Sequence, residues 1–178
     1  MTTEAATVIE GRIVRLGDNV NTDVILPGPY LNLTDPEELG KHLLETYDPE
    51  IAASVAPGDV LVAGTNFGSG SSREQAVLAI KARGVQAVVA AGFARIFLRN
   101  AINLGLPVYE CPPAAAAARP GERIAIDPKA GVIRVAGQEF TIPAQPRFLA
   151  DLMAAGGLVE WTRHRLEERR GEEVQDRR

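Results

Sequence analysis

A glycine-rich loop stands between a short apolar segment and a helix in the first half of the chain. Residues 59–63 have the composition of a short buried strand, and the loop at 64–70 follows directly. A helix is predicted from the serine pair after the loop to Gly84, and residues 85–91 resemble a second buried strand. Because strand, helix and strand alternate, we expect a parallel sheet with helices packed against it.

Further elements flank this β-α-β unit. Strands are predicted at 12–16, 23–26, 107–110, 123–126, 132–135 and 138–142. Helices are predicted at 35–47, 93–104, 147–155 and 158–168, and a helical turn or a linker at 114–118. The later strands are separated by turn residues typical of hairpins. The fold class is therefore predicted as α/β, with a mixed sheet or a small barrel and flanking helices.

The length of 178 residues is enough for one domain with its own core. We predict a single domain over residues 1–166. Residues 167–178 are almost all charged or polar, so we expect a flexible tail that frays.

Composition excludes several classes of protein. A formal net charge of −4 argues against a general nucleic-acid binder. A single cysteine, Cys111, excludes an internal disulfide and a cysteine-ligated cluster held by this chain alone, and only His42 and His164 add soft metal ligands. Residues 1–9 do not resemble a secretory signal, and the apolar run at 85–91 is too short to span a bilayer. We expect a cytoplasmic protein with no membrane partner and no metal or cofactor bound by this chain.

The loop and the start of its helix carry the chemistry of an anion site. Residues 66–74 read Asn-Phe-Gly-Ser-Gly-Ser-Ser-Arg-Glu. Glycines allow a close approach of backbone N–H groups, and a helix N-terminus adds a partial positive charge. Ser71 and Ser72 add hydroxyls, and the forked guanidinium of Arg73 matches a carboxylate. The segment predicts a carboxylate or phosphate site.

Rival motifs fit the segment less well. A P-loop needs a lysine, and residues 64–80 contain none. A dinucleotide fingerprint needs glycine where Arg73 stands, and a nucleophile elbow needs a different glycine spacing. One plain alternative stays open from spacing alone, namely that Ser71 and Ser72 only cap the helix, with the acidic or amide residue after Arg73 completing a capping box.

Three motifs together resemble a known family. They are Asp-Asn-Val-Asn-Thr-Asp-Val-Ile at 18–25, Gly-Ser-Ser-Arg-Glu at 70–74, and Phe-Ala-Arg-Ile-Phe at 93–97 with Asn100 and Gly-Leu-Pro at 105–107. In this order they resemble the signatures of the swivelling domain of the aconitase superfamily. A separate chain of this size resembles the small-subunit family of 3-isopropylmalate dehydratase and of the similar homoaconitase.

The resemblance implies a hydro-lyase that isomerises 2-isopropylmalate and 3-isopropylmalate by dehydration and rehydration in leucine biosynthesis. It implies a large-subunit partner that carries a 4Fe-4S cluster, and a small dicarboxylate hydroxy acid as substrate. Ser71 aligns with the catalytic serine, which acts as an alkoxide. Ser72 and Arg73 align with the binders of a substrate carboxylate. Asp23 aligns with an active-site aspartate that orients groups or handles a proton.

In this family, specificity is attributed to a short loop after Tyr-Leu, which here includes Asn32 and Leu33. Homoaconitase-like chains tend to carry arginine where Asn32 stands, and Leu33 favours an apolar substrate group. Isopropylmalate or a methylated malate is therefore expected. The alternatives are a homoaconitase small subunit of lysine biosynthesis, a dimethylmalate-type hydro-lyase subunit, and a carboxylate-binding adaptor without activity.

Overall fold

The computed structural model describes residues 8–143 and 145–175, with side chains to residue 169. The strands are β1 (Ile9–Arg15), β2 (Val60–Ala63), β3 (Ala87–Ala90), β4 (Val108–Glu110), β5 (Arg123–Asp127), β6 (Val132–Val135) and β7 (Gln138–Thr141). The helices are α1 (Thr22–Ile25), α2 (Pro36–Lys41), α3 (Pro49–Ser54), α4 (Glu74–Ala82), α5 (Arg95–Asn103), α6 (Pro112–Ala117), α7 (Arg147–Ala154) and α8 (Leu158–Gln175). A 3₁₀ turn lies at Gly28–Tyr30.

The strands form a seven-stranded sheet in the order β4-β3-β2-β1-β5-β6-β7. The first four strands in this order are parallel, and β5, β6 and β7 add an antiparallel half. The predicted mixed sheet and the predicted hairpins are therefore confirmed. Strands β4 and β7 lie at opposite ends of the order, so the sheet is a half-barrel rather than a closed barrel.

Strand β1 joins the two halves of the sheet. Its first residues, from Ile9 to Arg12, pair antiparallel with β5. Its last residues, from Ile13 to Arg15, pair parallel with β2. The strand starts before the predicted residue 12 because its first part finds a partner in β5, far away in sequence.

Both faces of the parallel half are covered. Alternate residues of β2 point to opposite sides: Leu61 packs in a core with α2, α4 and α5, whereas Val62 packs in a second core with α6 and the hairpin strands. All the residues of β2 and β3 are buried. Such two-sided burial explains why both strands are continuous apolar runs in the sequence.

Residues 23–26 were expected to form a strand, and that prediction is wrong. They belong largely to the short helix α1, because Oδ1 of Asn21 accepts a hydrogen bond from the N–H of Val24 at 2.9 Å. An asparagine in this role is a typical N-cap. The cap turns the chain just before Asp23 and so decides where that carboxylate lies.

The helix predicted over 35–47 is shorter than expected. Asp35 caps it as predicted, but α2 ends at Lys41. Leu44 then adopts a positive φ of 60° and donates its N–H to the carbonyl of Ile25 at 2.9 Å. Burial of Leu44 in the core therefore overrides helix propensity.

The C-terminal region is helical further than the sequence pattern indicates. Helix α8 runs to Gln175, whereas the pattern predicts its end at residue 168. The domain boundary at residue 166 and the flexibility of the tail stay predictions, and residues 176–178 lie outside the described range. Among the helices that the structure describes, none is long and apolar enough to cross a membrane.

Candidate active site

Two loops meet at the carboxyl ends of the neighbouring parallel strands β1 and β2. The loop after β1 leads into α1, and the loop after β2 leads into α4. Backbone hydrogen bonds of 2.7–3.0 Å continue the ladder between the loops: Gly64 N–H to Gly17, Asn19 N–H to Thr65, Gly68 N–H to Val20 and Thr22 N–H to Ser69. The two signature segments around Asp23 and Ser71 are thereby fixed against each other.

The first glycine of the β2 loop makes room for the other loop. A Cβ on Gly64 would lie 2.0 Å from Oδ1 of Asp18. That oxygen accepts hydrogen bonds from the N–H and the hydroxyl of Thr65 at 2.6 and 3.0 Å. These hydrogen bonds lower the pKa of Asp18, because they favour its charged form. Asp18 is thus a structural tie between the loops.

Gly68 is in direct contact with α5. It has a positive φ of 78°, and a Cβ there would lie 2.2 Å from Cγ of Phe97. The ring of Phe97 also packs edge-on against Phe67 with a centroid distance of 5.0 Å. A glycine is required here for both conformation and space.

We expect Gly68→Ala to lower the free energy of unfolding by about 2–5 kcal/mol, because a strained φ and overpacking against Phe97 add. Chemical denaturation of the isolated chain measures this change in the free energy of unfolding. Gly28→Ala is the matched control, since a Cβ on Gly28 meets no atom within 4 Å. Equal midpoints for the two variants would contradict this account of the loop.

Ser71 and Ser72 precede helix α4 rather than cap it. The helix begins at Glu74, and its N-cap is Arg73, which makes no side-chain capping bond. The alternative of a simple serine cap is therefore wrong. Both serines are exposed, and the backbone carbonyl of Ser71 accepts a hydrogen bond from Oγ1 of Thr22 at 3.1 Å. Both serines therefore lie on a backbone that is tied to α1, immediately before the first turn of α4.

Arg73 and Asp23 form an ion pair between the two loops. Nη1 of Arg73 contacts Oδ1 of Asp23; the Arg73 side chain is 17% exposed and that of Asp23 is 55% exposed. Nη1 is buried and lies against Oδ1 of Asp23, so this nitrogen is occupied by the ion pair. The guanidinium has further N–H groups besides the one that faces Asp23, and the part of the side chain that is exposed is suited to bind an added carboxylate.

The two residues expected to set specificity lie apart from this group. Asn32 is exposed, and Leu33 is half-buried against the main core. No hydrogen bond or ion pair within residues 8–143 joins them to Asp23 or to the serines. The start of their loop is held by Tyr30, whose ring stacks on His42 at 3.5 Å between centroids.

Glu45 completes the anchor of that loop. It accepts hydrogen bonds from the hydroxyl of Tyr30 at 3.2 Å and makes a 2.6 Å contact with Nδ1 of His42. These contacts lower the pKa of Glu45, that with His42 most. The specificity loop therefore starts from a fixed point.

A cleft of about 280 Å³ opens beside Ser72. Ile96, Arg99, Asn100 and Asn103 of α5 complete its lining. Asn100 is a site residue that sequence reasoning placed in a motif without giving it a role. The signal available was a polar residue on the buried face of an amphipathic helix.

A larger cavity of about 530 Å³ lies elsewhere, over the antiparallel half of the sheet. Its charges are already paired, Arg134 with Glu139 at 2.8 Å and Arg123 with Glu10 at 3.9 Å. The loop site is the better candidate despite its smaller volume, because it combines exposed hydroxyls with the part-buried guanidinium of Arg73.

The described residues offer no group of three or more His, Cys, Asp or Glu side chains that could hold a metal ion. Cys111 is only 3% exposed and packs in the second core. Its thiol therefore cannot reach a cluster at the surface, so the donor set of this chain does not fit an iron–sulfur cluster.

Comparisons with known proteins agree with one another. The family model for the aconitase C-terminal domain matches residues 17–111. The 3-isopropylmalate dehydratase small subunit of Thermodesulfovibrio yellowstonii is 47% identical over 89% of this chain and 95% of its own. The 2,3-dimethylmalate dehydratase small subunit of Eubacterium barkeri is 50% identical over 85% of this chain and 94% of its own.

A solved structure is similar over nearly the full length. The crystal structure of a 3-isopropylmalate dehydratase chain from Methanocaldococcus jannaschii superposes with a TM-score of 0.85 at 41% identity. The match covers 93% of this chain and 99% of that chain. The residues matched by the family model, 17–111, include both loops of the candidate site.

Proposed function

The chain belongs to the aconitase C-terminal domain family and, within it, to the 3-isopropylmalate dehydratase small subunits, and we propose that it is one subunit of such a hydro-lyase. The reaction is the interconversion of 2-isopropylmalate and 3-isopropylmalate by loss and addition of water. The observation that carries the proposal is the exposed Ser71 two residues before Arg73, whose guanidinium is ion-paired with Asp23 across the two loops.

Ser71 is the proposed base. Its alkoxide would take the proton from the carbon next to a substrate carboxylate and return it on rehydration. A free serine is too weakly acidic for this step, so its charged form needs stabilisation. The N-terminus of α4, which follows three residues later, and the guanidinium of Arg73 would have to supply this stabilisation.

Ser72 and Arg73 are proposed to bind the carboxylate next to the reacting carbon. The guanidinium can give two parallel hydrogen bonds to a carboxylate, and Ser72 adds a hydroxyl donor. Asp23 holds Arg73 in place through their ion pair and lies half-exposed at the same edge. We assign Asp23 the role of orienting Arg73, with proton handling as a second role.

The partner is a large subunit, as the names of the relatives imply. We propose that this subunit carries a 4Fe-4S cluster, which would act as the Lewis acid for the leaving hydroxyl. Nothing that this chain does in the proposed reaction depends on its own metal ligands. Its residues bind the carboxylate and move the proton. We expect the pair to work in the cytoplasm.

The substrate is proposed to be isopropylmalate, with 2,3-dimethylmalate as the second candidate. Leu33 is an apolar residue in the segment after Tyr-Leu, and Asn32 lacks the positive charge that a third carboxylate would need. The relative from Eubacterium barkeri, at 50% identity, favours the second candidate. Homoaconitate fits least well, for lack of an arginine at position 32.

Reconstitution tests the proposal. The chain alone is expected to be inactive, and mixing it with its large subunit, loaded with iron and sulfide under anaerobic conditions, is expected to give activity. Isopropylmalate, dimethylmalate and homoaconitate are compared by kcat/KM. We expect isopropylmalate to exceed homoaconitate by at least about tenfold, as for an unpaired buried charge. No turnover of any of the three would leave the adaptor as the better account.

A further inference from the structure

Asn100 is a buried polar side chain whose contact crosses from helix α5 to the serine loop. It is only 9% exposed, and its Nδ2 donates a hydrogen bond to Oγ of Ser72 at 3.4 Å. Its side chain makes no other hydrogen bond to the residues that the structure describes. A buried amide left without a partner would cost free energy, so this contact satisfies one of its donors. The proposed reaction assigns no role to Asn100.

The packing of α5 decides where this amide lies. Phe97 rests on the bare backbone of Gly68, and Asn100 follows one turn later on the same helical face. The N–H of Ala94 donates to the carbonyl of Phe67 at 2.9 Å and ties the start of α5 to the loop. Position 100 is therefore fixed relative to the loop by backbone contacts at the preceding turn.

We propose that Asn100 is a positioning residue that orients the hydroxyl of Ser72 for the substrate carboxylate, an inference that rests on the proposed function. A serine hydroxyl has one proton and can also accept. Because Asn100 donates to Ser72, Oγ acts as acceptor there. Its single proton is left to point away from α5, towards a carboxylate oxygen.

The charges around the cleft are consistent with this direction of donation. Helix α5 carries Arg95 and Arg99 and no acidic residue. Arg99 lines the cleft beside Ser72, so a carboxylate bound there meets positive charge from α5. An acidic residue at position 100 would reverse both the direction of the hydrogen bond with Ser72 and the sign of the charge on this side of the cleft. Because a carboxylate cannot donate, the hydroxyl of Ser72 would have to donate its hydrogen bond to position 100 and not to the substrate. The negative charge at position 100 would also repel the substrate carboxylate.

The first experiment measures kcat and KM of the reconstituted two-subunit enzyme. Asn100→Ala is expected to raise KM about two- to tenfold, the range of one neutral hydrogen bond, with kcat changed less than about twofold. Asn100→Asp, which has the same shape, is expected to raise KM more. Asn103→Ala is the matched control, because Asn103 lines the same cleft without bonding to Ser72, and its KM should stay within about twofold.

A double-mutant cycle separates positioning from a general effect on the fold. If Asn100 acts through Ser72, Asn100→Ala should have no further effect on KM in a Ser72→Ala background. Full additivity of the two changes would overturn the proposal. So would an Asn100→Asp enzyme with wild-type KM, since that result means that Ser72 donates to position 100.

A second readout does not need activity. In ¹⁵N-labelled isolated chain, the side-chain amide signals of Asn100 are expected to move on Ser72→Ala, and those of Asn103 to stay in place. Unmoved Asn100 signals would reject the contact itself. A wild-type pair that is inactive on all substrates would reject the proposed function and the positioning task with it, while moved signals would still establish the contact.

Discussion

Replacing Ser71 by alanine is expected to lower kcat of the reconstituted enzyme by about 10²- to 10⁴-fold, the contribution of a positioned general base. The reason lies in the geometry of the loop. Ser71 is exposed, its backbone carbonyl is held by Thr22, and the N-terminus of α4 follows within three residues. Alanine removes only the hydroxyl, so the loop backbone and the ion pair at Arg73 should stay in place.

Two measurements make the Ser71 result specific. Subunit assembly, followed by gel filtration, should match the wild type, and KM should change by less than about threefold, because carboxylate binding is assigned to other residues. Ser69→Ala is the matched control: its described contacts run through the backbone, so its kcat should stay near that of the wild type. If Ser71→Ala turns over at a near-normal rate, another group must be the base.

Arg73→Lys is expected to raise KM by about 10- to 150-fold, equivalent to about 1.5–3 kcal/mol for a hydrogen bond to a charged group. Lysine keeps the charge but lacks the planar fork that binds a carboxylate with two parallel bonds. A single ammonium also cannot present one nitrogen to Asp23 and others to the substrate. Saturation kinetics with isopropylmalate measure the change.

The opposite end of α4 provides the control for Arg73. Arg83 donates hydrogen bonds to the carbonyls of Val55 and Ala52 at 3.1 and 3.3 Å, so Arg83→Lys perturbs the same helix through structure alone. It should lower the unfolding midpoint and leave KM near the wild-type value. Equal KM values for Arg73→Lys and the wild type would mean that the substrate carboxylate is bound elsewhere.

Local sequence pattern was sufficient for the parallel half of the fold and for the hairpins. The runs around Leu61 and Val88 are apolar on both faces, and a sheet covered on both faces needs such runs. The family resemblance drawn from three motifs is confirmed by the family model and by the relatives. The anion site inferred from the serines and Arg73 stays a prediction until a ligand is bound.

The predictions of secondary structure and of site contacts that failed did so mainly because of contacts between residues far apart in sequence. Leu44 leaves the helical conformation because the core accepts its side chain, and nothing in its own neighbourhood indicates this. Helix α3 was missed although Asp48 and Pro49 repeat the start signal of α2. Spacing alone could not pair Arg73 with Asp23 or join Asn100 to Ser72, because each pair is made by the sheet and not by local sequence.

The double pairing of β1 has a consequence for the order of events during synthesis. Its partner β5 emerges from the ribosome only after both signature loops and α5 have been made, so the strand beneath the Asp23 loop stays half-paired until then. Such non-local closure is slow compared with hairpin formation. A nascent chain that stops short of β5 should therefore present an incompletely anchored strand, and productive docking with the large subunit should be delayed until most of the polypeptide has been translated.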